Sequence, residues 1–250
     1  MLRALALAPG LHVLDRPFRF RGLEIGTRAT VVTLDSGDLL VHSPVRFGED
    51  VRAALAPLGP VRHLVAPNRM HHLALGDWAR AYPAASLHGA PGLAKKRPDL
   101  AFATVLDDVA PQAWAGQLAQ MLLLGAPRYN EVAFLHQRSG TLVLADALFG
   151  WGSEHPPLTR LGARLLGAYG RWARPHNPFF GTVAHAVALR ESIERVLAWE
   201  FDRIVISHGR IVERRGREVL RDAYAFLLPP GRERVSPRAG PPGRGARAGS

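Results

Sequence analysis

The N-terminal part of the chain is patterned for β-structure. Leu11-His12-Val13-Leu14 is followed by Phe18-Arg19-Phe20, which alternates apolar and polar side chains as a half-buried strand does. The apolar runs Ala29 to Leu34 and Leu39 to His42 flank Asp35-Ser36-Gly37-Asp38, a turn signal. Glu49 to Leu58 reads as a short helix stopped by Gly59-Pro60, and Val61 to Ala66 as a buried strand closed by Pro67-Asn68. Leu75 to Tyr82 reads as a helix, Ser86-Leu87-His88 as a short strand and Gly92 to Lys96 as another short helix. Further strands are predicted at Leu118 to Leu124, Glu131 to His136 and Thr141 to Ala145, the last two joined by the hairpin connection Gln137 to Gly140.

The second half turns helical. Leu158 to Trp172 is mixed and predicted as helix. Thr182 to Trp199 has the clearest helical period, with Val183, Val187, Ile193, Val196 and Leu197 on one side and Arg190, Glu191, Glu194 and Arg195 mostly on the other. Arg203 to Ile206 is a buried strand ending in Ser207-His208-Gly209, and Arg217 to Leu227 a closing helix. Two sheets covered by helices on both outer faces would bury these patterns, in an α/β (α+β) architecture of four layers. Residues 1–228 form the expected domain. The tail 229–250, rich in Pro, Gly and Arg, has almost no apolar content and is expected to be disordered.

Composition narrows the chemistry. There is no cysteine among the 250 residues, which excludes disulfides, thiolate metal sites and cysteine nucleophiles; any metal must sit on His, Asp or Glu. Met1 to Ala8 with Arg3 is similar to the start of a signal peptide, but its apolar stretch is short and a strand follows at once; the chain is read as cytoplasmic, with no membrane association. The net charge of +11 includes +4 in the tail. With Lys95 and Lys96 the only lysines, the rest is Arg spread along the chain, which reads as a solvated basic surface. A polyanion contact is the functional alternative. No RNA-binding aromatic signature or zinc-finger spacing supports it, so a nucleic-acid partner is not expected, and a small-molecule substrate or ligand is.

Polar, metal-competent residues stand where three strands end, the positions at which rigid scaffolds hold binding groups. They are Pro67-Asn68-Arg69-Met70-His71-His72-Leu73, Asp146 after Thr141 to Ala145, and His208 after Ile204 to Ile206. Each has a plainer reading: adjacent histidines arise by chance, Asp146 can be a turn residue, and His208 can satisfy backbone groups. In this order, however, strand, His-rich loop, strand ending in Asp and strand ending in Ser-His-Gly, the chain resembles the metallo-β-lactamase superfamily over roughly residues 11 to 227. Leu40-Val41-His42-Ser43-Pro44, the Pro-Asn-x-x-His-His-Leu run and the Asp146 strand are similar to a branch known as a domain of unknown function.

The resemblance implies an αββα sandwich and a degenerate metal site. The superfamily loop His-x-His-x-Asp-His, with its final His set on His72, puts the Asp at His71, the second His at Arg69 and the first at Pro67. The later loop near Gly125 to Glu131 also lacks His, so the first metal site is expected to be absent. The second site would fall on His71, His72, Asp146 and His208, holding one divalent metal (Zn, Fe or Mn) that activates water. Arg69 is expected to pair with Glu131 or to orient an anionic substrate, sharing the catalytic role with Asp146. The expected activity is that of a mononuclear metal-dependent hydrolase of an ester-like or anionic substrate. The alternative is a catalytically inactive small-molecule-binding or interaction module, which loss of a whole metal site favours.

Overall fold

The computed structural model describes residues 4–165, 167–173 and 183–228. The chain opens with strands β1 (Leu5–Ala8) and β2 (Leu11–Arg16), a small hairpin β3 (Arg19–Phe20) and β4 (Leu23–Glu24), then β5 (Thr27–Thr33) and β6 (Leu39–His42). Helix α1 (Glu49–Leu55), β7 (Val61–Ala66), α2 (Leu75–Ala81), β8 (Ser86–Gly89), α3 (Leu93–Lys96) and β9 (Phe102–Val105) follow. The second half contains β10 (Leu118–Leu122), β11 (Val132–His136), β12 (Thr141–Val143), β13 (Phe149–Gly150), α4 (Pro157–Leu165), β14 (Trp172–Ala173), α5 (Ala186–Leu197), β15 (Arg203–Val205) and α6 (Gly216–Ala223).

Two sheets carry the fold. One has seven strands in the order β1-β2-β5-β6-β7-β8-β9, antiparallel as far as β6 and parallel from β6 to β9. The other runs β10-β11-β12-β15, with β12 and β15 parallel. Alternation along each strand splits the apolar residues between two faces. Leu11, Val13, Leu40 and Val65 of the first sheet meet Leu118, Phe134, Val143 and Val205 of the second between the sheets. The outer face of the first sheet, with Val31, Val41 and Leu64, is covered by Leu55 of α1, Trp78 of α2 and Leu93 of α3. The outer face of the second, with Leu135, Leu142 and Ile204, is covered by α5 and α6. The result is the αββα sandwich that the patterns predict.

The departures are local. The segment similar to a signal-peptide start contributes β1, an edge strand on β2. The helix expected from Leu158 to Trp172 stops at Leu165; the chain then turns through Gly167 and Gly170, at φ of 66° and 71°, and Trp172 pairs with Gly150. On α5 the buried side is Leu189, Ser192, Ile193, Val196 and Leu197, while Val187, expected to face inward, is exposed. Among the described residues no helix is long and apolar enough to cross a membrane. The tail 229–250 lies outside the described residues.

Because β6 and β7 are parallel, as are β12 and β15, their C-terminal ends can meet at one edge of the sandwich. The chain continues from these ends into Ser43, Asn68 to His72, Asp146 and His208.

Candidate metal centre

Three of the four expected ligands come together. One ligating atom from each of His71, Asp146 and His208 lies within 4.8 Å of the others. His71 Nε2 is 3.3 Å from Asp146 Oδ2 and His208 Nε2 is 3.5 Å from Asp146 Oδ1, with all three side chains largely shielded from solvent. Ligand atoms bound about 2.0–2.2 Å from zinc at tetrahedral angles stand roughly 3.3–3.6 Å apart; each histidine lies at such a distance from one oxygen of the Asp146 carboxylate.

Each group is held from behind. Asn68 is fully buried and satisfied on both ends: its Nδ2 donates to Glu131 Oε2 (3.0 Å) and Asp146 Oδ2 (2.8 Å), and its Oδ1 accepts from the backbone N–H of Met70 (2.8 Å) and His71 (2.9 Å). Glu131 in turn accepts the backbone N–H groups of Ala145, Asp146 and Ala147 at 2.8, 2.7 and 3.1 Å, closing the turn that carries Asp146. His71 Nδ1 is 2.5 Å from Ser43 Oγ, which takes a hydrogen bond from Ser207 Oγ at 3.1 Å. His208 Nδ1 is 2.6 Å from Gly26 O.

The Gly26 contact decides the state of His208. A carbonyl oxygen only accepts, so the His208 proton sits on Nδ1 and Nε2 carries a lone pair. Burial pushes the ring down to about 4 despite the attraction of Asp146, so it is neutral near pH 7. A lone pair then faces a carboxylate oxygen at 3.5 Å, which is unfavourable unless a cation lies between them. His71 is in a different state: burial works against its charge, but the Asp146 carboxylate outweighs burial and raises its pKa. Burial likewise opposes the charge on Asp146, and His71 overcomes it, holding the carboxyl below the usual carboxylate range. Two imidazole nitrogens and a carboxylate oxygen converging on one point are a donor set that fits a divalent ion with room for a further ligand.

The other two expected residues stand elsewhere. His72 turns away from Asp146, its Nδ1 3.3 Å from Arg97 Nη1 and its carbonyl accepting from the same guanidinium at 2.9 Å. Burial, Lys96 and Arg97 lower its pKa to about 4. Residues 70–75 form a tight turn, with His72 N–H bonded to Met70 O and Leu75 N–H to His72 O, and neighbouring side chains on such a turn diverge. Arg69 does not pair with Glu131, since Asn68 occupies that position. Its Nη1 donates to Pro127 O at 3.2 Å, and it is not among the residues lining the cavity over the site. The roles of Asn68, Ser43 and Glu131 in bracing the ligands were not assigned from the sequence; the one signal for Asn68 was its place directly after β7.

A cavity of about 520 Å³ opens over His71, Asp146 and His208. Phe18, Phe20, Ile25 and Phe149 form apolar wall on one side, and the Phe18 ring stacks on His208 with centroids 6.0 Å apart.

Comparison with known proteins agrees with this architecture. A family model described as "Domain of unknown function (DUF4336)" matches residues 11–171. No curated protein matches the chain. Among solved structures, the metallo-β-lactamase from Hirschia baltica aligns with a TM-score of 0.63 at 10% identity, covering 92% of this chain and 99% of that one. The metallo-β-lactamase FIM-1 from Pseudomonas aeruginosa in its mono-zinc form aligns at 0.61 and 11% identity, covering 91% and 97%. A metal-soaked flavodiiron core, Flv1, from Synechocystis sp. PCC6803 aligns at 0.63 and 14% identity, covering 90% of this chain and 60% of that one. The fold is that of the metallo-β-lactamases; identities this low speak to the fold alone.

Proposed function

The chain belongs to the DUF4336 family, and on that premise we propose that it is a mononuclear metal-dependent hydrolase acting on an ester-like or anionic substrate. The observation that carries this reading is the convergence of His71, Asp146 and His208 beneath an open cavity, with the His208 Nε2 lone pair aimed at the Asp146 carboxylate. Zn, Fe or Mn held there would supply Lewis acidity toward water and toward a substrate oxygen.

The chain's own residues prepare the site. Ser43 and the Gly26 carbonyl fix the two imidazole planes, as the outer partners of ligating histidines do. A hydroxyl accepts as well as donates, so His71 can carry its proton on Nδ1 toward Ser43 and free Nε2 for a metal. Asn68 donates to the Asp146 carboxylate, and Glu131 holds the backbone turn that carries it by accepting the N–H groups of Ala145, Asp146 and Ala147. Phe18 and Phe149 exclude bulk water from beside His208, which strengthens the electrostatics of the site.

Metal content of protein purified without chelator tests the reading, beside a His71→Ala, His208→Ala double variant. About one equivalent of Zn, Fe or Mn, lost in the variant, is the expected result and licenses a screen of esters and phosphoesters. Protein that holds no metal and takes none up on addition would overturn it in favour of a binding module.

A further inference from the structure

The cavity over the metal centre has an unusual charge pattern. Four arginines line it: Arg16, Arg21, Arg46 and Arg128. Arg16 is tied to Asp50 at 2.5 Å, but Arg21, Arg46 and Arg128 have no acidic partner among the described residues. Elsewhere guanidinium groups are commonly neutralised, as in Arg28 with Asp15, Arg97 with Asp99, Arg195 with Asp108 and Arg203 with Glu213. The carboxylates lining the cavity are Asp77, which pairs with Arg80, and Asp146, committed to the histidines below. The mouth is therefore an uncompensated cationic surface.

The same mouth is apolar between the charges. Met70 is 41% and Leu73 70% exposed, and both line the cavity together with His71, Phe18, Phe20 and Phe149. Exposed apolar side chains at a concave site, set among a few charged groups, are the usual composition of a small-molecule pocket. Free phosphate or a bare inorganic anion would leave these surfaces in water. A fully apolar ligand would strip water from three unpaired guanidinium groups without replacing its hydrogen bonds, which costs binding energy.

We infer that this cavity binds an amphipathic organic anion, a carboxylate or phosphate attached to an aromatic or acyl body, with the anionic group held by Arg46 and Arg128. The apolar body lies against Phe18, Phe20 and Leu73. Planar guanidinium groups suit a carboxylate or phosphate through paired N–H donors. This deepens the proposed hydrolase, whose substrate would then be an amphipathic ester or phosphoester. The anion site itself consists of side chains that do not ligate the metal.

The test is titration calorimetry with three probes of one shape: naphthoate, the corresponding naphthyl methanol and the naphthyl methylamine. Each is titrated first into chelator-treated protein, so that no metal attracts the anion, and then into metal-loaded protein. Naphthoate is expected to bind the chelated protein about tenfold or more tighter than the alcohol, with the amine weakest, because a charge-assisted hydrogen bond contributes this much. An Arg46→Gln, Arg128→Gln double variant is expected to lose that preference; Arg195→Gln, on a distant surface pair, keeps it. Both rim residues are exposed, and an unchanged melting temperature confirms that the variant is folded. Equal binding of acid and alcohol, or a preference that survives the double variant, overturns the inference. Anion preference in a protein that takes up no metal would sink the hydrolase reading and leave this site standing. Metal uptake without anion preference would do the reverse.

Discussion

His208 and the turn that carries it are held in place by two parts of the chain, Gly26 to Arg28 and Gly150. Gly26 takes its Nδ1 proton, while Arg28 of β5 reaches across to the carbonyls of Ile206 (3.0 Å) and Gly209 (2.8 Å), clamping the turn on either side of it. Gly209 has φ +98°, and a Cβ there would stand 2.0 Å from the Gly150 carbonyl oxygen, backbone that cannot swing aside. Ser43 holds its hydroxyl against His71 from a left-handed conformation (φ 56°), which costs a serine roughly 1–2 kcal/mol and is offset by its packing. Arg28→Met is therefore expected to lower metal affinity about tenfold to a hundredfold while leaving the fold intact, the range seen when outer partners of ligands are removed. Gly209→Ala is expected to lose more, because the turn itself must shift. Competition against a chelator measures both; affinities equal to the parent would show that neither residue positions His208. At this scale Asp146 and His208 were legible because each is a ligating residue directly after a buried strand. Asn68 was not, because its partners Glu131 and Asp146 are 63 and 78 residues away in sequence.

Helix α5 shows what periodicity does and does not reveal. Its apolar positions put Ile193, Val196 and Leu197 on the buried side as expected, but at about 100° per residue Val187 falls on the opposite side of the helix from Leu189 and Val196, and it is 60% exposed. Leu189 takes the inner position, its backbone N–H bonded to His185 O, with Gly125 packed against its Cβ so closely that any side chain at 125 would collide. Ile193→Ala is expected to cost about 2–5 kcal/mol in urea denaturation, the range for a buried aliphatic reduced to Ala. Val187→Ala is expected to change stability by less than about 0.5 kcal/mol. Comparable losses at both sites would mean that α5 is rotated from the face seen here. The strands that escaped the sequence, β1, β4, β9, β13 and β14, share a reason. They are two to four residues long, and β1, β13 and β14 are fixed mainly by pairing with a partner strand, which leaves no period in their own residues.

Across the whole molecule, the layer between the sheets combines an apolar core with buried histidines. The fold was legible because strand alternation assigns most residues to one of two faces, and Leu40, Val65, Phe134 and Val205 met in the middle as that pattern requires. What alternation does not show is how His42, His63 and His88 are accommodated in the same layer. His63 Nδ1 and His88 Nε2 lie 3.2 Å apart beside Trp114. His42, fully shielded edge-on to Phe134, has no hydrogen-bond partner for either ring nitrogen among the described residues. Burial lowers all three, His88 to about 4 and His42 to about 3, with the charge of His71 adding to the effect at His42. A folded pKa below the ordinary histidine value of 6.5 means that the unfolded chain binds more protons at acid pH. The stability from keeping each ring neutral is complete above 6.5, falls as pH drops below it, and is exhausted at the folded pKa. For His42 alone, the loss between pH 8 and pH 5 is about 2 kcal/mol, at about 1.4 kcal/mol per unit of pH below 6.5. A His42→Leu variant removes this group and its two unpartnered nitrogens together. It is expected to match or exceed the parent at pH 8 and to lose about 2 kcal/mol less than the parent on going to pH 5, read from urea denaturation at the two pH values. An equal acid loss in parent and variant would mean that the His42 ring is already charged in the folded state, and with it that the inter-sheet layer admits a proton.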